Sequence, residues 1–116
     1  MTLAVGLVGA GYFAQFHAEA WARMPGAALA AVCDTDRAKA EATAARHGGQ
    51  PYDALDAMLA ARPLDILDIA APPPAHAPAI RAAIAAGIAT VICQKPFCGG
   101  LAAAEAITAE AEAAGL

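Results

Sequence analysis

The sequence predicts an α/β fold, a Rossmann-type doubly wound parallel sheet of about five strands. Three observations point to it. Short apolar runs alternate with helical patterns along all 116 residues, the first run ends in a glycine turn that opens a helix, and an aspartate closes the second run. Strands alternating with helices require βαβ crossovers, which cover both faces of a parallel sheet.

The elements follow in order. "LAVGLV" (3–8) is short, apolar and β-branched, as a buried strand should be. "YFAQFHAEAWARM" (12–24) carries Phe13, Phe16, Ala20 and Met24 at helical spacing, and Pro25-Gly26 ends it. "ALAAVC" (28–33) is a second strand, and 35–48 is a polar-faced helix with Thr35 or Asp36 as N-cap and Gly48 at its close. "QPY" (50–52) is a short third strand, after which Asp53 is expected to cap a brief helix stopped by Pro63. "DILDIAA" (65–71) is the fourth strand, "APAIRAAIAAG" (77–87) a helix, "IATVIC" (88–93) the fifth strand, and the remainder from Gly100 a final helix. The near-continuous apolar character of strands one, four and five fits burial on both faces. About a third of the residues are alanine, so helices are locally favoured, and the bulkier Leu, Ile, Val, Phe and Trp are expected to do most of the core packing.

Bulk properties exclude several functions. A net charge of −4 without any Lys/Arg cluster argues against nucleic acid as a partner. No stretch reads as a membrane span, and the N-terminus lacks the basic region and cleavage signature of a secretory signal. Cys33, Cys93 and Cys98 are an odd count without metal-ligand spacing, so reduced, mostly buried thiols and a cytoplasmic location are expected, with no metal site.

The chemistry concentrates at the strand ends. Gly9-x-Gly11-x-x-Ala14 lies between the first strand and the first helix. There Gly9 permits the tight bend, Gly11 allows a pyrophosphate close to the backbone, and the small Ala14 lets helix and strand pack closely. The N–H groups of Tyr12 and Phe13, at the positive end of the helix, would face the phosphates. Asp34 follows Ala14 by twenty residues, where a carboxylate can take the hydroxyls of an adenosine ribose. The alternative is that Asp34 merely caps the next helix. A carboxylate at that point repels a 2′-phosphate and favours NAD over NADP, a preference that nearby Arg37 softens. S-adenosylmethionine is a weak rival, because the first strand has no acidic residue to open that kind of motif.

Ligands of open parallel sheets bind at the carboxyl ends of the strands. Asp34, the "APPPAH" segment and "QKP" all follow strand ends and should line one crevice, with Lys95 aimed at the reactive end of a bound dinucleotide. A surface lysine lying over apolar neighbours is the plainer alternative.

The order of these motifs resembles the N-terminal domain of the glucose–fructose oxidoreductase / inositol dehydrogenase / MocA family. The glycine turn is followed by His17, then Asp34, then Ala71-Pro72-Pro73-Pro74-Ala75-His76, then Gln94-Lys95-Pro96 where the family has E-K-P. The resemblance spans essentially the whole chain and implies an NAD(P)-dependent oxidoreductase acting on a sugar, cyclitol or related polyol. It also implies that Lys95 contacts the substrate hydroxyl that becomes a carbonyl, and that Gly9, Gly11, Tyr12, Phe13, Ala14, Asp34, Ala71, Pro72, His76, Gln94 and Lys95 surround the cofactor. Gln94 departs from the family glutamate. It can hydrogen-bond, but supplies no anion beside the lysine. His76 is open between touching the cofactor and capping the helix at Ala77, and His17 reads as a packing or supporting histidine.

The family carries a second domain that binds the sugar and supplies a further acid/base. The chain is therefore expected to be the cofactor domain of a two-domain protein, inactive alone, in a protein that forms a homo-oligomer. A non-catalytic nucleotide-sensing module is the alternative, since this fold alone does not specify chemistry. Without the sixth strand that such sheets normally add, the fifth becomes an exposed edge, and self-association along it is expected.

Overall fold

The computed structural model describes residues 1–116. The order is β1 (Leu3–Val8), α1 (Ala14–Arg23), β2 (Ala27–Cys33), α2 (Arg37–His47), β3 (Gln50–Tyr52), α3 (Leu55–Ala61), β4 (Ile66–Ile69), a 3₁₀ turn (Pro73–Ala75), α4 (His76–Ala85), β5 (Thr90–Cys93) and α5 (Leu101–Ala113). All neighbouring strands pair in parallel, in the order β3-β2-β1-β4-β5. The chain winds outward from β1 to β3, crosses back to β4 and winds the other way. The switch point therefore falls between β1 and β4, and the crevice outside their carboxyl ends is where such sheets bind ligands.

Two cores follow from the pleat. On one face Val5, Leu7, Leu29 and Val32 pack with Ala14, Ala18, Trp21 and Ala40 of α1 and α2. On the other, Leu67 and Ile69 pack with Met58, Ile80 and Ile107 of α3, α4 and α5. Helix α5 lies against α4, with the Arg81 guanidinium donating to both Glu110 carboxylate oxygens at 2.9 and 3.1 Å. β5 is left at the edge of the sheet.

Three local expectations are corrected. In α1 the buried face is Ala14, Ala18 and Trp21, whereas Phe13, Phe16 and Met24 are about half exposed. Small side chains let the helix lie close against β1, so the aromatics turn outward, where Phe16 meets the rings of Tyr12 and Phe13 at 5.5 Å. Alanines accordingly make up nine of the 22 buried hydrophobic residues, a larger part in packing than their size suggested. Asp53 does not cap α3: Ala54 is the cap residue, with no side-chain bond, and the Asp53 carboxylate instead lies 3.8 Å from the Arg37 guanidinium. The second helix is capped as expected, Asp36 accepting from the Ala38 N–H at 3.1 Å.

Candidate functional site: a cleft at the switch point

A cleft of about 880 Å³ opens at the carboxyl ends of the strands. That is the size range of small-molecule and cofactor sites. The structure brings together on its walls Gly9, Gly11, Tyr12, Phe13, Asp34, Ala71, Pro72, Gln94 and Lys95. Residues more than eighty positions apart in the sequence thus share one rim.

The glycine turn is built for this place. Gly9 has φ +103°, and a Cβ there would sit 2.7 Å from the Ala70 carbonyl oxygen, so both conformation and space demand glycine. A Cβ at Gly11 would meet no protein atom within 4 Å. Protein packing therefore does not require glycine at position 11, whereas a ligand lying against the backbone would. The N–H groups of Gly11, Tyr12 and Phe13 have no acceptor within the chain. They stand at the start of α1, where the helix dipole favours an anion. Ala14 is fully buried beneath the turn, in the packing role its small size suits.

Asp34 is tied into this frame. Its Oδ2 accepts from the Ala10 N–H at 2.8 Å and its Oδ1 from the Asp36 N–H at 2.8 Å. It is not the cap of α2, a role that falls to Asp36. A carboxylate has about four acceptor positions, so two remain for a ligand. Around it the cleft is lined by Asp36, Asp53 and Asp56, with Lys39 as the cation at that end. Arg37 is engaged by carboxylates, with Glu41 at 3.4 Å and Asp53 at 3.8 Å. The neighbouring Cys33 thiol is pushed up to about 11, first by burial and then by the Asp34 and Asp53 carboxylates, so it is a neutral wall.

At the other end, Lys95 is exposed on the rim, and its ammonium makes no hydrogen bond or ion pair within the chain. Its backbone N–H donates to the Gln94 side-chain oxygen at 2.9 Å. His17 is second in line, as a supporting histidine should be, with its ring between Asp68 and Gln94.

His76 is a correction. It does not reach the cleft but is fully buried, its two ring nitrogens 2.9 Å from the Phe97 carbonyl and 2.7 Å from the Ala71 carbonyl. Nor does it cap α4. It is the first residue of the helix and ties the β4 loop to the β5 loop from behind.

Two residues escaped sequence reasoning. Gln15 donates its amide hydrogens among the Ala10 and Gly11 carbonyls, both at 3.2 Å, and the Thr43 hydroxyl at 3.0 Å, pinning the glycine turn to α2. Nothing in its spacing marks it. Asp68 is 1% exposed within β4 and accepts from Trp21 Nε1 at 2.7 Å. Its signal was a lone acid inside an apolar strand, since a buried charge must be paired.

Comparison with known proteins agrees with this fold. The sequence profile of the oxidoreductase family with an NAD-binding Rossmann fold, GFO/IDH/MocA, matches residues 3–116. The chain belongs to this family. It is 40% identical over 111 residues to a D-apiose dehydrogenase of Paraburkholderia graminis, covering 95% of this chain and 29% of that protein. It is 36% identical over 113 residues to an inositol 2-dehydrogenase of Rubrobacter xylanophilus, covering 95% of this chain and 32% of the relative. An oxidoreductase of Agrobacterium radiobacter, crystallised with NAD⁺, L-tartaric acid and magnesium, superposes with a TM-score of 0.91 at 32% identity, over 98% of this chain and 33% of that one. The chain thus spans about a third of the length of the relatives it matches and corresponds to their NAD(P)-binding domain. No helix is long and apolar enough to cross a membrane.

Proposed function

We propose that this chain is the cofactor-binding half of an oxidoreductase that uses NAD to oxidise a hydroxyl of a sugar, cyclitol or related polyol, with the substrate groups supplied by a second domain. The observation that carries the reading is the sharing of one cleft by three features. These are the unpartnered N–H groups of the glycine turn, the Asp34 carboxylate and the Lys95 ammonium.

The residues present fit the cofactor. The N–H groups of Gly11, Tyr12 and Phe13 hold the pyrophosphate, and the free acceptor positions of Asp34 take the ribose hydroxyls. Ala71 and Pro72 wall the cleft, and Gln94, on the rim beside Lys95, would hydrogen-bond the nicotinamide ribose. The acidic end formed by Asp34, Asp36 and Asp53, with Arg37 held by Glu41 and Asp53, repels a 2′-phosphate and favours NAD over NADP. Bound NAD supplies the hydride acceptor. Lys95 holds the hydroxyl oxygen of the substrate and stabilises the negative charge that develops as its proton leaves.

Calorimetric titration of the chain with NAD and with NADP tests the cofactor half of this reading. NAD should bind at least about tenfold more tightly, the equivalent of about 1.4 kcal/mol. Equal affinities, or no binding of either, would sink it.

A further inference from the structure

Asp68, His17, Gln94 and Lys95 form a continuous series of hydrogen bonds from the floor of the sheet to the rim of the cleft. Both ends of the series are chemically unambiguous. At the buried end the Trp21 indole N–H can only donate, and it meets Asp68 Oδ2 at 2.7 Å. At the rim the Lys95 backbone N–H can only donate, and it meets the Gln94 side chain at 2.9 Å.

The atom of Gln94 that faces Lys95 is therefore the amide oxygen, and the amide nitrogen is turned to His17 Nε2, 3.3 Å away. An amide NH₂ only donates, so Nε2 accepts and the ring hydrogen sits on Nδ1. Nδ1 lies 2.9 and 2.8 Å from the two Asp68 oxygens, which can only receive it. Each step leaves one choice. Asp68 is the one charged side chain bonded to His17, and the only other ring packed on it is that of Phe13, at 5.8 Å.

We propose that Asp68 is a positioning residue for Lys95, acting through His17 and Gln94 along a hydrogen-bond chain with a single donor direction. The side chain at position 94 must donate to His17 and accept from the Lys95 N–H. Glutamine does both. An ionised glutamate can only accept, so the frame then needs one more hydrogen, on the imidazole or on the carboxyl itself. Gln94 is thus matched to a neutral His17, and an exchange at position 94 moves a proton within the site. The use made of Lys95 rests on the functional reading above; the donor order does not.

Long-range ¹H–¹⁵N spectra of the labelled 116-residue chain read the ring directly. The parent should show hydrogen on His17 Nδ1 and none on Nε2. Asp68→Asn keeps an oxygen at the Oδ2 place, which serves Trp21 and lies 2.8 Å from His17 Nδ1, but sets an NH₂ against Nδ1 where Oδ1 stood at 2.9 Å. With the charge gone and a donor facing Nδ1, hydrogen should appear in part on Nε2, and the Lys95 amide should exchange with solvent measurably faster as its bond to Gln94 weakens. Gln94→Glu should place hydrogens on both ring nitrogens wherever the new carboxyl is ionised, which its ¹³C shift reports. A parent ring carrying its hydrogen on Nε2 overturns the proposal, as does an Asp68→Asn chain with unchanged tautomer and exchange. Should Asp68→Asn fail to fold, Gln94→Glu at the half-buried rim decides, and an unchanged His17 ring beside an ionised carboxylate there also overturns it. NAD titration of the parent in parallel separates the two readings: lost binding refutes the functional reading and leaves the donor order standing.

Discussion

Removing the Asp34 carboxylate should have two effects that can be measured apart. In the free chain Asp34 accepts from Ala10 N–H and Asp36 N–H, each at 2.8 Å, and Ala10 is only 5% exposed. Hydrogen bonds to a charged group contribute about 1.5–3 kcal/mol, and a buried N–H left without an acceptor costs about 1–3 kcal/mol. The Asp36 bond is exposed and belongs at the low end. Asp34→Ala should therefore cost roughly 2–4 kcal/mol, which for a domain of this size lowers Tm by about 8–16 °C. Asp34→Asn keeps one acceptor for Ala10 and should cost about half as much. Calorimetric titration, at a temperature where every variant is folded, then reads the cofactor. Loss of the ribose contacts should weaken NAD by roughly thirtyfold in Asp34→Ala, and removal of the charge should narrow the preference over NADP by about tenfold in both variants. An unaltered Tm in Asp34→Ala would refute the bonding described for the turn. Unaltered affinity for both nucleotides would refute the assignment of Asp34 to the ribose.

Three further outcomes follow from the same structure. The 116-residue chain alone should give no NADH from any polyol, followed by absorbance, because Lys95 is the one catalytic group assigned within it; steady turnover would contradict the division of roles. The chain should self-associate along β5, and since the Gln94 N–H bonds inward to the Ile69 carbonyl, alternation turns the Val91 N–H outward. Val91→Pro therefore breaks no ladder bond and should shift sedimentation toward monomer, whereas a parent chain already monomeric at high concentration would refute the edge argument. Cys33 and Cys93 are both raised to about 11, chiefly by burial, so alkylation of either should be slow at pH 8 and accelerate toward pH 11. With folded values above the unfolded one, their stabilising contribution is whole below about pH 9 and is lost as pH rises to about 11, so Tm should fall across that window and not below it.

The alternation of elements and the strand-end site were legible because both rest on local pattern: apolar runs of strand length, Gly9 and Gly11 at the first turn, Asp34 at the end of β2. What stayed hidden depends on who meets whom. Hydrophobicity chose the Phe13–Phe16 stripe as the core face of α1, but the distance between helix and sheet at a glycine turn selects Ala14 and Ala18. Asp53 had the right type and place for a cap, yet the Arg37 guanidinium engages it from another helix. Asp68 finds its partners 47 and 51 residues upstream, so no spacing rule within β4 could name them. His76 was open between touching the cofactor and capping the helix at Ala77, and only the fold shows the two carbonyls that hold it behind the wall.

Trp21 is the only tryptophan in the chain, 8% exposed and hydrogen-bonded to the Asp68 carboxylate. The tryptophan fluorescence of the molecule, excited beyond the tyrosine band, is therefore emitted from one address, beside the Asp68 carboxylate. An indole dipole so placed has its emission colour set by that charge as well as by shielding from water. A fluorescence melt will report the moment α1 lifts from β4. Loosening of the α4–α5 side, across the sheet, will be dark. Optical and calorimetric transitions that fail to coincide would thus reveal that the two faces of the sheet come apart in sequence.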